Sequence, residues 1–209
     1  MTEMDQRIFE IYEALEGICR ETSELFKAID QLMVKKRFVT FSYFRWDTSE
    51  AIDNPEGWLP YFSQRMYRRE QGNPKLAIGI NLMMKDEECQ NRIPFLTCGL
   101  VRSSAAVGNK GNELYFAGWH EGYSVTRFAD TYFSLSRNED QSTEVLSYFL
   151  RLTAADRLES AERLIVEPLA HLYQSLGSVK SLEEHTDTLK KMNEKIGPSS
   201  LTLEQIRQP

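Results

Sequence analysis

The chain has 209 residues, of which 41 % are hydrophobic, 27 % charged and 11 % aromatic. That composition suits one globular domain with helical appendages and excludes a disordered chain. Its 25 basic and 31 acidic residues leave a net charge of −6, which argues against a protein whose main work is coating nucleic acid, since such domains are usually basic.

Residues 1–36 carry the clearest pattern, and their net charge is −3. Apolar residues fall at Met4, Ile8, Ile11, Leu15, Ile18, Leu25, Ile29 and Leu32, in steps of four and three, with Thr22 as the one polar residue in the series. This is a heptad pattern and predicts a long amphipathic helix. A second row, Tyr12, Cys19, Phe26 and Met33, lies beside it and makes the apolar face wider than a two-stranded seam needs. Thr2 can cap the start, and Lys35, Lys36 and Arg37 suit the end. A helix this long overhangs a domain of this size. The expectation is self-association through Ile8, Ile11, Leu15, Ile18, Leu25, Ile29 and Leu32, as a homodimer or in a bundle with the C-terminal helices; packing on its own sheet is the plainer alternative.

Residues 37–137, with net charge +1, read as an antiparallel sheet core. Arg37–Trp46 is rich in aromatic and β-branched residues, and Leu76–Met84 alternates cleanly. Further strands are expected at Ile93–Arg102, Leu114–His120 and Tyr123–Leu135, the last bulged near Ala129 and Asp130. Short connections between successive strands favour a meander. Residues 138–209, with net charge −4, read as a C-terminal helical region. Asp140 or Ser142 can open a helix that breaks at Leu152, where Thr153 and Asp156 suggest a fresh start. Pro168 should kink the next segment and Gly177 end it. Ser181 and Glu184 form a capping box for a helix that stops at Gly197–Pro198, and Thr202 with Gln205 suits a short final turn. The expected fold class is therefore α+β: a central antiparallel sheet of about five strands, flanked by a long N-terminal helix and a C-terminal helical region, in one structural domain.

No apolar run nears the roughly 18 residues that cross a bilayer, and the N-terminus lacks a secretory pattern. Cys19, Cys89 and Cys98 are odd in number and contain no C-x-x-C pair, so a reducing cytoplasm is the expected compartment. No Cys, His, Asp or Glu spacing suits a metal, and no phosphate-binding loop or dinucleotide fingerprint is present, so neither metal nor cofactor is expected.

Four constellations are worth weighing. Arg65, Arg68 and Arg69, with Tyr61 and Phe62 before them, could form an anion site; if the segment were helical they would share one face. A solvated face is the plainer reading. Gly79, Gly99 and Gly118 each fall within a predicted strand, and hairpin pairing would align them into a trough with His120 at its end and Arg102 or Arg127 at its rim. A helix crossing the sheet closely there, or a bend in the sheet, is the alternative. Cys98 could be a nucleophile with His120 as base, although an apolar strand suits an inert thiol better. The loop Ser103–Asn112 could cradle an anion but is more simply hairpin chemistry. Lacking a catalytic constellation, the sequence points first to a non-enzymatic interaction or regulatory protein that self-associates and can bind a protein partner. The alternatives are a small-molecule sensor-like domain, or weakly marked enzyme, using the sheet groove, and a binder of nucleic acid or an acidic partner through the arginines.

Overall fold

The computed structural model describes residues 3–45, 62–84, 93–107, 123–128, 131–140, 142–155, 157–176 and 186–207. The fold is α+β. Helix α1 (Glu3–Lys35) leads into strands β1 (Phe38–Arg45), β2 (Phe62–Arg69), β3 (Leu76–Met83), β4 (Phe95–Ser103), β5 (Tyr123–Arg127), β6 (Ser134–Asn138) and β7 (Thr143–Arg151). A 3₁₀ turn, Leu152–Ala155, follows. Helix α2 (Leu158–Ala161) then runs through a π-helical segment, Glu162–Val166, into α3 (Glu167–Leu176). Helix α4 (Thr186–Ile196), the two-residue strand β8 (Ser200–Leu201) and α5 (Leu203–Arg207) close the described chain.

The eight strands form one antiparallel sheet in the order β1-β2-β3-β4-β7-β6-β5, with β8 on β7. This is more than the five expected: Phe62–Arg69 and Ser200–Leu201 add β2 and β8, two further segments read differently, and the strand expected at Leu114–His120 lies outside the described residues. The segment Tyr123–Leu135 is not one bulged strand but the hairpin β5–β6, in which Phe128 N–H bonds the Phe133 carbonyl at 3.4 Å. The helix expected from Ser142 is instead β7, a central strand paired to both β4 and β6. Asp140 and Ser142 act as turn formers rather than caps: the Asp140 carboxylate accepts from Ser142 N–H at 2.8 Å, and Asn138 Oδ1 accepts from Thr143 N–H at 2.8 Å. Asp, Asn and Ser satisfy backbone donors equally well in tight turns and at helix starts, so their presence alone does not choose between them.

One face of the sheet is covered by helices. Leu76, Ile78, Ile80 and Leu82 of β3, Leu96, Cys98 and Leu100 of β4, and Leu146, Tyr148 and Leu150 of β7 form a single core with residues of α1 through α4. The second face carries a smaller apolar cluster of Met66, Ala77, Val101, Val107 and Val145. All eight residues of β3 are buried, so that strand is covered on both faces.

Three local devices lock α1 and the C-terminal helices onto the first face. Asp30 of α1 accepts from the Tyr67 hydroxyl at 2.8 Å and from Thr40 Oγ1 at 3.2 Å. Arg37 ends the helix in the left-handed region at φ 66°, a place usually given to glycine, and its N–H bonds the Val34 carbonyl. The kink expected at Pro168 takes the form of the π segment just before it. Pro168 has no N–H for the Leu164 carbonyl four residues back, and that carbonyl accepts instead from the buried Tyr148 hydroxyl at 2.8 Å. At the chain's end the box read at Thr202 and Gln205 is present: Thr202 N–H bonds Gln205 Oε1 at 2.9 Å, and Gln205 N–H bonds Thr202 Oγ1 at 3.3 Å.

Candidate functional site

Helix α1 has two halves with opposite surroundings. Phe26, Ile29, Leu32 and Met33 are buried in the core, and Leu25 packs against it. Toward the N-terminus the same apolar rows run into solvent: Met4, Ile8, Ile11, Tyr12 and Ile18 are 40–66 % exposed, and Phe9, on another side of the helix, is exposed too. At 1.5 Å per residue the first half projects about 25–30 Å beyond the last contact with the core. The helix thus presents a heptad seam without a partner among the described residues.

Where α1 joins the domain there is a cleft of about 440 Å³. Ile18, Thr22 and Leu25 form one wall, and Leu152, Leu158 and Ala161 the other. Leu158 is itself more than half exposed. The cleft continues the exposed seam down to the point where α1 enters the core.

The second face of the sheet holds a different arrangement. Gly79 and Gly99 are direct partners across β3 and β4. The row continues through Met66 on one side and through Ser147 and Ser134 on the other. Two residues along, Gln64, Asn81 and Thr97 form the next row across β2, β3 and β4. Both glycines are themselves buried, and α1 through α4 pack on the opposite face, so those helices are not what covers them. Around this glycine pair Gln64 Nε2, Asn81 Oδ1, Thr97 Oγ1, Ser147 Oγ and Ser136 Oγ are all buried without a hydrogen-bond partner. Their residues are only 0–2 % exposed. Each such atom costs about 1–3 kcal/mol if nothing satisfies it. Gly118 and His120, the other members of the expected trough, lie outside the described residues.

The arginines are arranged differently from a helical cluster. Their segment is β2, and strand alternation divides them. Arg65 and Arg69 lie on the first face and Arg68 on the second. Arg65 sits 5.0 Å over the Phe26 ring and 3.9 Å from the Asp30 carboxylate. Arg69 covers the Phe38 and Tyr173 rings, and Arg68 the Phe41 ring. The single patch expected for a helix is therefore replaced by three separate aromatic stacks. At the proposed rim, Arg102 pairs with Glu144, which also accepts from Arg137 at 3.0 Å, and Arg127 pairs with Glu204. Cys98 is wholly buried in the helix-covered core beside Tyr148, and burial pushes its thiol well up, which fits an inert packing role. Among the described residues, no group of three or more His, Cys, Asp or Glu is placed to hold a metal ion. No described helix is long and apolar enough to cross a membrane.

The polar row on the second face was not singled out by the sequence. Gln64, Asn81 and Thr97 occupy what looks like the solvent side of alternating strands, and only burial of both faces makes them notable. The signal available was parity: Asn81 shares a face with Gly79, and Thr97 with Gly99. No family model, no curated protein and no solved structure matches this chain.

Proposed function

We propose that this protein is an interaction module that self-associates through the projecting half of α1, residues 4–22, in a reducing, cytoplasmic setting. The observation that carries this reading is the heptad series that is buried at Ile29 and Leu32, while Met4, Ile8, Ile11 and Ile18 are 40–66 % exposed and Leu15 half-buried. A solvent-facing stripe of five large apolar residues on one helix is costly unless something covers it. A second copy of the same stripe has the matching periodicity.

The antiparallel orientation fits best. With Ile8 and Leu15 at a positions and Met4, Ile11 and Ile18 at d positions, β-branched residues fall at d, which suits a parallel two-stranded seam poorly. In an antiparallel pair centred near Glu13, Ile8 of one copy faces Ile18 of the other and Ile11 faces Leu15. The flanking positions then set Arg7 against Glu21 of the second copy twice over, with Ala14 against Ala14 between them. A parallel pair brings no opposite charges together at these positions. The same register lays Met4 of the second copy beside Thr22, at the mouth of the 440 Å³ cleft. An unbranched thioether fills such an irregular gap well.

Sedimentation equilibrium on the full chain tests association, and a dimer is expected. A spin label at Glu3→Cys, with Cys19 and Cys89 replaced by Ser, tests orientation. The antiparallel register places the two labels about 30 Å apart along the axis, whereas a parallel pair sets them side by side. A monomer at every concentration overturns the reading, and a short label distance overturns the register.

A further inference from the structure

The cleft beside α1 has a wall that the heptad series does not supply. Leu152, Leu158 and Ala161 come from the 3₁₀ turn after β7 and from α2, yet they continue the apolar surface of the seam. Leu158 is 54 % exposed, more than Ile18 on the other wall at 40 %. We infer that this cleft receives the first two turns of α1 of a second copy, so that α2 clasps the dimer as a third helix. The inference rests on the antiparallel self-association proposed above and adds to it a contact outside the seam.

The placement follows from helix geometry. At about 100° per residue, Ile18 and Leu25 share one edge of the seam, Glu21 and Ala28 lie about 60° round from that edge, and Glu24 about 100°. Apart from Thr22, every α1 residue of the cleft therefore lies on that edge or beyond it, and α2 flanks the seam on that one side. This is the side on which Arg7 of the second copy meets Glu21. The register that pairs Ile8 with Ile18 also pairs Met4 with Thr22, so Met4 and Arg7 of the second copy stand within the stretch of α1, residues 18–28, that forms the wall. The same copy's Met4 cannot fill the cleft, because it lies on the helix that makes the wall, roughly 21 Å along the axis from Ile18.

Charge selects the same occupant. The cleft carries two carboxylates, Glu21 and Glu24, and one guanidinium, Arg157. None of the three makes an ion pair among the described residues. Arg7 of the second copy brings a cation to the carboxylates, and the start of its α1 brings the positive end of the helix dipole. The methylene stem of Arg7 can lie on Leu158 while its head reaches Glu21 and Glu24. Met4, 66 % exposed in the single chain, supplies the apolar contact for Leu158 and Leu25.

Two measurements on the full chain separate the clasp from the seam. The first is sedimentation equilibrium of Leu158→Asp. Leu158 opens the helical run that ends at Leu176, where an acid suits the dipole, so the urea midpoint at low protein concentration is expected to stay put while the dimer Kd rises tenfold or more. The second is cross-linking. Met4→Cys and Leu158→Cys in one chain, with Cys19 and Cys89 replaced by Ser, are expected to give a covalent dimer under a mild oxidant, and either change alone to give none. An unchanged Kd in Leu158→Asp overturns the clasp and leaves the seam standing, as does a dimer of ordinary strength in which the double-cysteine chain does not cross-link. A monomeric wild-type chain overturns the seam, and cross-linking by Met4→Cys alone overturns its register; the clasp falls with either. If Leu158→Asp does not fold, the cross-link decides by itself.

Discussion

Replacing Ile11 by Asp separates the two halves of α1 energetically. Ile11 is 61 % exposed in the single chain, so the folded monomer loses little besides helix propensity, about 0.5 kcal/mol. In the antiparallel dimer the side chain is covered twice, once on each copy. Full burial of an isoleucine is worth about 1.5–3 kcal/mol, and covering the exposed part recovers roughly 1–2 kcal/mol per copy. A carboxylate in the seam adds a desolvation cost of about 1 kcal/mol or more at each site. The dimer should therefore weaken by about 4 kcal/mol, near a thousandfold in Kd. Ile29→Ala is the mirror control: Ile29 is wholly buried in the core, so that change should cost about 2–5 kcal/mol of monomer stability. Sedimentation equilibrium reads the association, and urea unfolding at low protein concentration reads the fold. A wild-type dimer unaffected by Ile11→Asp, or an Ile11→Asp chain that loses monomer stability as Ile29→Ala does, would refute the division of the helix.

Tyr148→Phe leaves the Leu164 carbonyl without its hydroxyl donor and should cost about 1–3 kcal/mol in urea unfolding; no loss would mean the π segment supplies its own donor. Arg37→Gly relieves a left-handed φ of 66° and should raise stability by up to about 1 kcal/mol, read as a higher Tm. Hydrogen bonds from the Ser142 side chain and backbone N–H hold the Asp140 carboxyl below its ordinary range. A depressed carboxylate stabilises its turn above the unfolded value and loses that contribution as pH falls through the folded one. The Ser142 amide resonance should therefore hold its position near neutrality and move only at acidic pH below the ordinary Asp range, which an NMR titration follows; a midpoint at or above the ordinary Asp range would contradict the assignment.

The long helix, the strands β1, β3 and β4 and the helix end at Gly197 were legible because each rests on local rules. Heptad spacing, alternation and backbone-breaking residues act over a few neighbours. Two readings went astray where one local signal serves two structures. Asp140 and Ser142 close a turn before β7 rather than start a helix, and the one strand expected over Tyr123–Leu135 is two, β5 and β6, with the bulge expected near Ala129 and Asp130 outside the described residues. In the first case pairing with the distant strand β4 decided the outcome, and in the second the segment folds back to pair with itself as a hairpin. Similarly, Arg65, Arg68 and Arg69 share a helical face only if the segment is helical, and pairing with β1 and β3 makes it a strand.

The site followed the same division. Sequence alone determined that a wide apolar stripe runs from Met4 to Met33 and that glycines recur within the strands, because side-chain type and spacing are local facts. Tertiary structure decided where the stripe leaves the core, since only contact with the sheet and the C-terminal helices shows that Phe26 is covered and Ile11 is not. It also decided that Gly79 and Gly99 face each other beneath a ring of unpartnered polar atoms. That juxtaposition joins residues from five strands through register, and register is fixed by the packing of the whole sheet rather than by any one strand.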